Sequence, residues 1–448
     1  MSRRPDVQYA WNGDVAIAYQ VVGDGPVDVL VLFGYMSNLE WIWHMDRSAA
    51  FFGRLAAGRR LILMDRRGTG LSDRFGPDAA PPLETTLDDI LAVLDAAGSV
   101  RAHVFSFWDS CLVAMMFAAG HADRVATLSM FSTGRRGSGD EPYEWGDEDW
   151  TALLAEIRSG WGSRALTIRR LREQSPSAVR TPEDADEIVT MLRLAASPSS
   201  ALAMLEVHRR SDVSAVLPLI RVPTLVLHRT GDTTEDVEAG REVARRIPGA
   251  VFAQLDGDDV LPWYGDSDAI LDAVEAHIGA GHEPAVNDRI LGTVLFTDIV
   301  NSTATAAEMG DTRWAQLLAE HDDLARDAIA RHRGSFVESR GDGLLAVFDG
   351  PARAVRCAEA LVAAVRPLGL EVRAGCHTGE LELASGQAQG LAVHIGARVA
   401  SLAGASEVLV SSTVRDLTAG SGLRFDEAGE HELKGVPERW RLYRLGVT

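Results

Sequence analysis

Cysteine is scarce. Three in 448 residues, Cys111, Cys357 and Cys376, cannot form a disulfide framework and fit a reducing compartment, so a cytoplasmic location is expected. Also missing is any uncharged apolar run near the ~20 residues needed to cross a bilayer. The opening MSRRPDVQYAWNGD lacks the apolar stretch of a secretory signal, so no membrane insertion is expected. Basic residues are outnumbered, 44 Lys and Arg against 64 Asp and Glu, for a net charge of −20. That balance argues against a nucleic-acid partner, because phosphate backbones demand clustered cations.

Apolar side chains are plentiful by contrast: 46% hydrophobic against 24% charged residues supplies real cores and argues against disorder. At this length two domains of unequal size are the natural reading. Over the first part, apolar strand-like runs alternate with helical stretches: VDVLVLF at 27–33, RLILMD at 60–65, AHVFSF at 102–107, TLSMFS at 127–132 and TLVLHRTGD at 224–232. Strands that are apolar throughout, separated by helices, imply a mostly parallel sheet covered on both faces. From about 135 to 215 the rhythm breaks into amphipathic helical patterns with prolines at 176, 182 and 198, as expected of an inserted helical cap. The polar segment GAGHEPAVNDR suggests a linker at 281–289, which divides the chain into domains 1–280 and 290–448.

Two segments of the second domain carry chemistry. LFTDIVNST at 295–303 and ESRGDGLLAVFDG at 338–350 each place one aspartate, Asp298 and Asp342, at a strand-and-turn junction. Hard cations such as Mg²⁺ are usually held by one or two carboxylates plus the phosphates of the substrate, so the pair suggests a metal-phosphate site. Taken singly, Asp298 also reads as a cap for a helix starting near Ser302, and Asp342 as a hairpin former.

With their flanks, and with AGCHTGE at 374–380, GLAVHIGARV at 390–399 and ELKGVPERWRLY at 432–443, these segments resemble the catalytic domain of class III nucleotide cyclases from about Leu291 onward. The resemblance implies an α+β ferredoxin-like fold and conversion of ATP or GTP to a 3′,5′-cyclic nucleotide. It also implies two Mg²⁺ or Mn²⁺ ions on Asp298, Asp342 and the Ile299 carbonyl. Arg398 matches the transition-state arginine, His394 stands where asparagine is usual, and Lys434 matches the phosphate-contacting lysine. Glu338 and Gln387 occupy the base-selecting positions. A carboxylate only accepts, which suits the N–H donors of guanine, yet Gln387 suits either base, so nucleotide identity stays open. The family builds each site across a homodimer, with the helices 303–333 and 391–403 as interface and pocket walls.

The first domain, with MDRRGTGLSDR at 64–74 and VPTLVLHRTGD at 222–232, resembles the α/β-hydrolase fold over residues 8–280. In that fold the nucleophile sits on a strand-to-helix elbow, where this chain reads SFWDS with Trp108 in place of the serine. Val260 stands at the expected histidine, and only Asp232 matches the triad acid. Indole cannot attack a carbonyl, and Ser106 and Ser110 flank the elbow without occupying its tip. The domain reads as a catalytically silent sensor, with Trp41, Trp43, Trp108, Trp161 and Trp263 as candidate walls of a pocket for a small apolar ligand; a filled, dead pocket is the plainer reading. Two alternatives to the regulated cyclase are a nucleotide-binding scaffold without turnover and a serine-type ester hydrolase.

Overall fold

Runs written without a polar face become strands buried on both sides: every residue of Ala102–Phe107, Val125–Phe131 and Thr224–Arg229 is buried. The computed structural model describes residues 5–75, 80–134, 147–280, 289–340, 342–384, 387–436 and 439–446. Two units emerge, Met1–Val286 and Asn287–Thr448. The proposed linker falls, but for residue 289, outside the described residues.

In the first unit eight strands form one sheet. They are β1 (Gln8–Asn12), β2 (Val15–Val22), β3 (Asp28–Leu32), β4 (Arg60–Met64), β5 (Ala102–Phe107), β6 (Val125–Phe131), β7 (Thr224–Arg229) and β8 (Val251–Leu255). Their order is β1-β2-β4-β3-β5-β6-β7-β8. β1, at the edge, and β2 are antiparallel to their neighbours, and β3 to β8 run parallel to one another. Parallel neighbours need crossovers, supplied here by helices such as Ser110–Gly120, whose side chains are buried almost all round. Phe52 and Phe107 pack against Trp263 at 5.7 and 5.8 Å between ring centroids, closing the core on one face.

Between β6 and β7 the described chain is helical: Asp147–Gly160, Arg164–Gln174, Pro182–Ala195 and Pro198–Arg210. Pro182 and Pro198 start their helices, where a missing N–H costs nothing. Thr181 closes a capping box with Asp184, and Ser197 accepts from the Ser200 N–H.

The second unit has β9 (Arg289–Ile299), β10 (Ser335–Arg340), β11 (Gly343–Phe348), β12 (Val372–Ala384), β13 (Gln387–Gln389), β14 (Val408–Ser411), β15 (Phe425–Glu432) and β16 (Arg439–Leu445). The sheet order is β10-β11-β9-β12-β14-β16-β15, with β13 on β12. Alternation along β9 sends Leu295 to a core with the helices Asp311–Arg331 and Pro351–Ala364, and Val294 to a second core beneath the helix Leu391–Leu402. The single helix expected at 303–333 is instead two, Ser302–Met309 and Asp311–Arg331, broken at Gly310, whose φ of +81° lies in the left-handed region.

His377 of β12 is buried, bonds Ser411 Oγ through Nδ1 at 2.8 Å and meets the Trp440 ring edge-on at 5.4 Å. Burial lowers its pKa from 6.5 to about 3. Between those values the unfolded chain binds the extra proton, so this histidine subtracts stability as pH falls below 6.5. The urea midpoint of a His377→Gln chain is therefore expected to change less between neutral and mildly acidic pH than that of the parent; equal pH sensitivity would refute the assignment.

Candidate functional site

β9 lies between β11 and β12, and its register fixes the surroundings of Asp298. Gly343 is its partner on β11 and Arg373 its partner on β12. Asp342 immediately precedes Gly343, so the two aspartates occupy neighbouring positions at the same end of the sheet. Directly opposed Cα atoms of antiparallel strands are about 5 Å apart, so the register brings the backbones of Asp298 and Asp342 close together at this end of the sheet. The next turn holds Asn301 at a φ of +57°, a left-handed conformation uncommon outside glycine. Asn301, not Asp298, stands at the N-cap of Ser302–Met309, and it makes no capping hydrogen bond.

Arg373 was not anticipated from the sequence. Its Nε donates to Asp298 Oδ2 at 2.8 Å, and its Nη2 bonds the same oxygen. Asp298 Oδ1 accepts no hydrogen bond and Asp342 has no partner among the described residues. Ligand oxygens with unused lone pairs fit a hard cation, while the groups of three or more His, Cys, Asp or Glu that would form an all-protein cage are absent among the described residues. The donor set thus matches a cation that also takes oxygens from a phosphate.

The remaining sequence-predicted groups lie elsewhere on this unit. His394 and Arg398 are one turn apart on Leu391–Leu402; the opposite face, Ala392, Ile395, Gly396 and Val399, is buried. Both side chains are exposed and unpaired among the described residues. A Cβ on Gly396 would overlap Val294, so the helix lies tight on the sheet with His394 and Arg398 on its exposed face. Glu338 pairs with Leu345 across the β10–β11 ladder, next to a bulge, and is half-buried. Gln387 opens β13 opposite Ala384. Lys434 is exposed in the turn between β15 and β16. Following the ladders from Arg439 through β14 and β12 to β9 places that turn at least seven residues from Asp298 along the strands, or about 24 Å. One copy of the unit therefore gathers Asp298, Ile299, Asp342 and Arg373, and keeps Lys434 away from them.

In the first unit Trp108 has a φ of +54°, the strained backbone of a nucleophile elbow retained around a side chain with no nucleophile. Ser106 and Ser110 are fully buried. Ser110 Oγ donates to the Leu32 and Phe107 carbonyls and Ser106 Oγ to Cys111 Sγ, so neither is placed as a nucleophile. Asp232 receives Ser132 Oγ at 2.5 Å, Thr234 N and Oγ1 at 2.8 Å each, and Glu235 N at 3.1 Å, which makes it a turn organiser. An oxyanion in this fold is held by the N–H after the nucleophile and an N–H from the loop after β3. Here the Asp109 carboxylate sits beside the N–H groups of Asp109 and Tyr35, with Oδ2 paired to Arg66 Nη1 at 2.9 Å. The place of the anion is taken by a side chain of the protein itself.

Trp108 and Val260 both line a cavity of about 150 Å³ with Tyr35, Trp150, Trp161 and His208. Of the five tryptophans expected as walls, Trp108 and Trp161 are there; Trp150 was missed. Trp263 is core, Trp41 donates to the Glu187 carbonyl and Trp43 to Gln20 Oε1. Residue type alone does not separate a ring in the core from a ring on a cavity.

Restoring the missing pair in a Trp108→Ser, Val260→His chain should yield no hydrolysis of p-nitrophenyl acetate above the parent, because Asp109 still fills the anion position; appearance of esterase activity would refute that reading. Asp109→Ala alone strands Arg66 and should cost about 3–5 kcal/mol in urea unfolding.

Comparison with known proteins separates the two units. Residues 288–446 match the adenylate and guanylate cyclase catalytic domain. The serine/threonine-protein kinase pkn2 of Myxococcus xanthus is 28% identical over 177 residues, 38% of this chain and 21% of the kinase, so the chain spans about a fifth of that relative. The putative carbamate hydrolase RutD of a Caulobacter species is 27% identical over 258 residues, 57% of this chain and 90% of RutD. The enol-lactonase of Burkholderia xenovorans is 23% identical with a TM-score of 0.51, covering 61% of this chain and all of that one, a likeness of fold. Among the described residues no single helix is long and apolar enough to cross a membrane. The chain thus joins an N-terminal domain of α/β-hydrolase fold to a C-terminal adenylate and guanylate cyclase catalytic domain.

Proposed function

We propose that two copies of this chain together form a class III nucleotide cyclase that converts ATP or GTP to the 3′,5′-cyclic nucleotide and pyrophosphate. The observation that carries the reading is the register that sets Asp342 beside Asp298 within the segment matching a cyclase domain. Mg²⁺ or Mn²⁺, two per site, would be held by Asp298, the Ile299 carbonyl and Asp342, and when bound would stabilise the attacking and leaving oxygens. Asp298 leaves its Arg373 partner, at least in part, to take that role. Arg398 supplies fixed positive charge where the α-phosphate becomes more anionic. His394 donates an imidazole N–H to the ribose, Lys434 meets the phosphates, and Glu338 with Gln387 reads the base edge.

Because Lys434 lies far from Asp298 within one copy, the complete set requires a partner chain contributing Lys434, Arg398 and His394. A second reading, nucleotide binding without turnover, has the Arg373 ion pair in its favour, since that pair competes with a cation for Asp298 Oδ2. The N-terminal domain, with no working nucleophile, acts as the regulatory part, its cavity open to a small apolar ligand.

Purified chain with Mn²⁺ or Mg²⁺ should form cyclic product from ATP, GTP or both, assayed separately; Asp342→Ala should reduce it about 10²-fold or more with unchanged circular dichroism. No product from either nucleotide leaves the binding-only reading. Asp298→Ala and Arg398→Ala chains, each inactive alone, should regain activity when mixed, because the mixed pair holds one intact site; failure of chains shown to pair would refute the shared site.

A further inference from the structure

We infer that the cavity of the N-terminal domain is a binding site for an uncharged ring-bearing molecule with one hydroxyl or carbonyl group, seated against Trp108 and His208 on the cavity wall. The assignment deepens the regulatory part of the proposed function, and the binding itself does not depend on that part.

Three observations converge. First, the replacement of the nucleophile by an indole has not filled the pocket: about 150 Å³ remains beside Trp108, walled mainly by aromatic and aliphatic side chains. Protein interiors ordinarily close such voids. Second, the pocket holds hydrogen-bonding groups left unused. His208 Nδ1 is buried with no partner, and neither the Trp108 indole N–H nor the Tyr35 hydroxyl bonds any described residue. The neighbouring indoles differ, since Trp161 donates to the Ala196 carbonyl at 2.8 Å and Trp150 to Glu206 at 3.3 Å. Buried polar groups almost always have partners, so His208 Nδ1, left without one on the wall of this void, calls for a polar atom from outside. Tyr35 and Trp108 lie 5.0 Å apart and Trp108 and His208 6.5 Å apart between ring centroids, and all three rings border this one void.

Third, the charges exclude an ion. Burial, then the charge of Arg66, lowers the His208 pKa to about 4, so its imidazole is neutral and accepts as well as donates. The guanidinium on the wall, Arg170, is bound to Glu156 at 2.5 Å. A carboxylate ligand would meet Glu156 and Glu235 on the lining and Asp109 behind Tyr35 with no unengaged cation; a flat neutral ring meets four aromatic walls.

The test is calorimetric titration of the full chain with 4-methylphenol, toluene, 4-methylbenzoate and benzylamine. 4-Methylphenol should bind at least about tenfold tighter than the other three, the scale of one buried hydrogen bond. His208→Phe should bring 4-methylphenol down to the toluene level and leave toluene unchanged, while His208→Asn, which keeps a donor and an acceptor, should retain most of the preference. Tighter binding of either ion, the same 4-methylphenol affinity in His208→Phe, or no binding of any probe would overturn the assignment. Cyclic product is followed in parallel: binding that leaves turnover unchanged supports the site and retires its regulatory role, and binding in a chain that makes no cyclic product supports the site while retiring the cyclase reading.

Discussion

The antiparallel ladder that clamps β9 between β11 and β12 governs the C-terminal domain. It places one carboxylate, Asp298, opposite Gly343 and its neighbour Asp342 on one side and opposite Arg373 on the other. Side chains alternate along a strand, so a slip of one residue would turn Asp298 into the core and Leu295 out of it. Core packing and site geometry are therefore specified by the same hydrogen bonds, with Val294 and Leu295 holding the register that Asp298 needs. The exposed face of Leu391–Leu402, with His394 and Arg398, is set by the face of the same strand that carries Val294, which lies beneath Gly396.

The N-terminal domain separates a scaffold from the chemistry that the scaffold can host. The strained elbow is present at Trp108 and the strand order of the fold surrounds it, while Trp108 and Val260 stand at the positions expected for serine and histidine. Sites are grafted on folds, and this one keeps the cavity that a fold of this kind presents at its strand ends. Burial raises the Asp109 pKa while Arg66 opposes the shift, so an ion pair now stands where substrate charge would develop.

Much of this was legible because the two periodicities differ. The runs at 27–33, 60–65, 102–107, 127–132 and 224–232 became β3 to β7, whose lack of a polar face marks a sheet covered on both sides. The helical cap expected between about 135 and 215 is helical in its described part, with Pro182 and Pro198 beginning two of its helices. β1 passed unnoticed because it is an exposed edge strand, with Tyr9 and Trp11 facing solvent; β2, although buried over Ile17–Gln20, was missed with it because its run mixes polar and apolar residues. Arg373 was missed for a different reason. Its partner is 75 residues away in sequence, and only the ladder joins them; the arginine just before AGCHTGE was the available cue. Asp109 was equally silent, since SFWDS displays an aspartate without the Arg66 that neutralises it.

Gly34 sits against that aspartate, so that a Cβ there would overlap Asp109 Oδ1. Any larger residue at position 34 would expel the carboxylate from its niche and leave Arg66 unbalanced, and any neutral replacement of Asp109 does the same from the other side. Becoming a serine hydrolase would therefore demand coordinated change at positions 108, 109 and 260, with Arg66 rebalanced as well. Taken one at a time, the early steps lower stability before any catalysis is gained, so single point mutations do not readily lead this scaffold to ester chemistry.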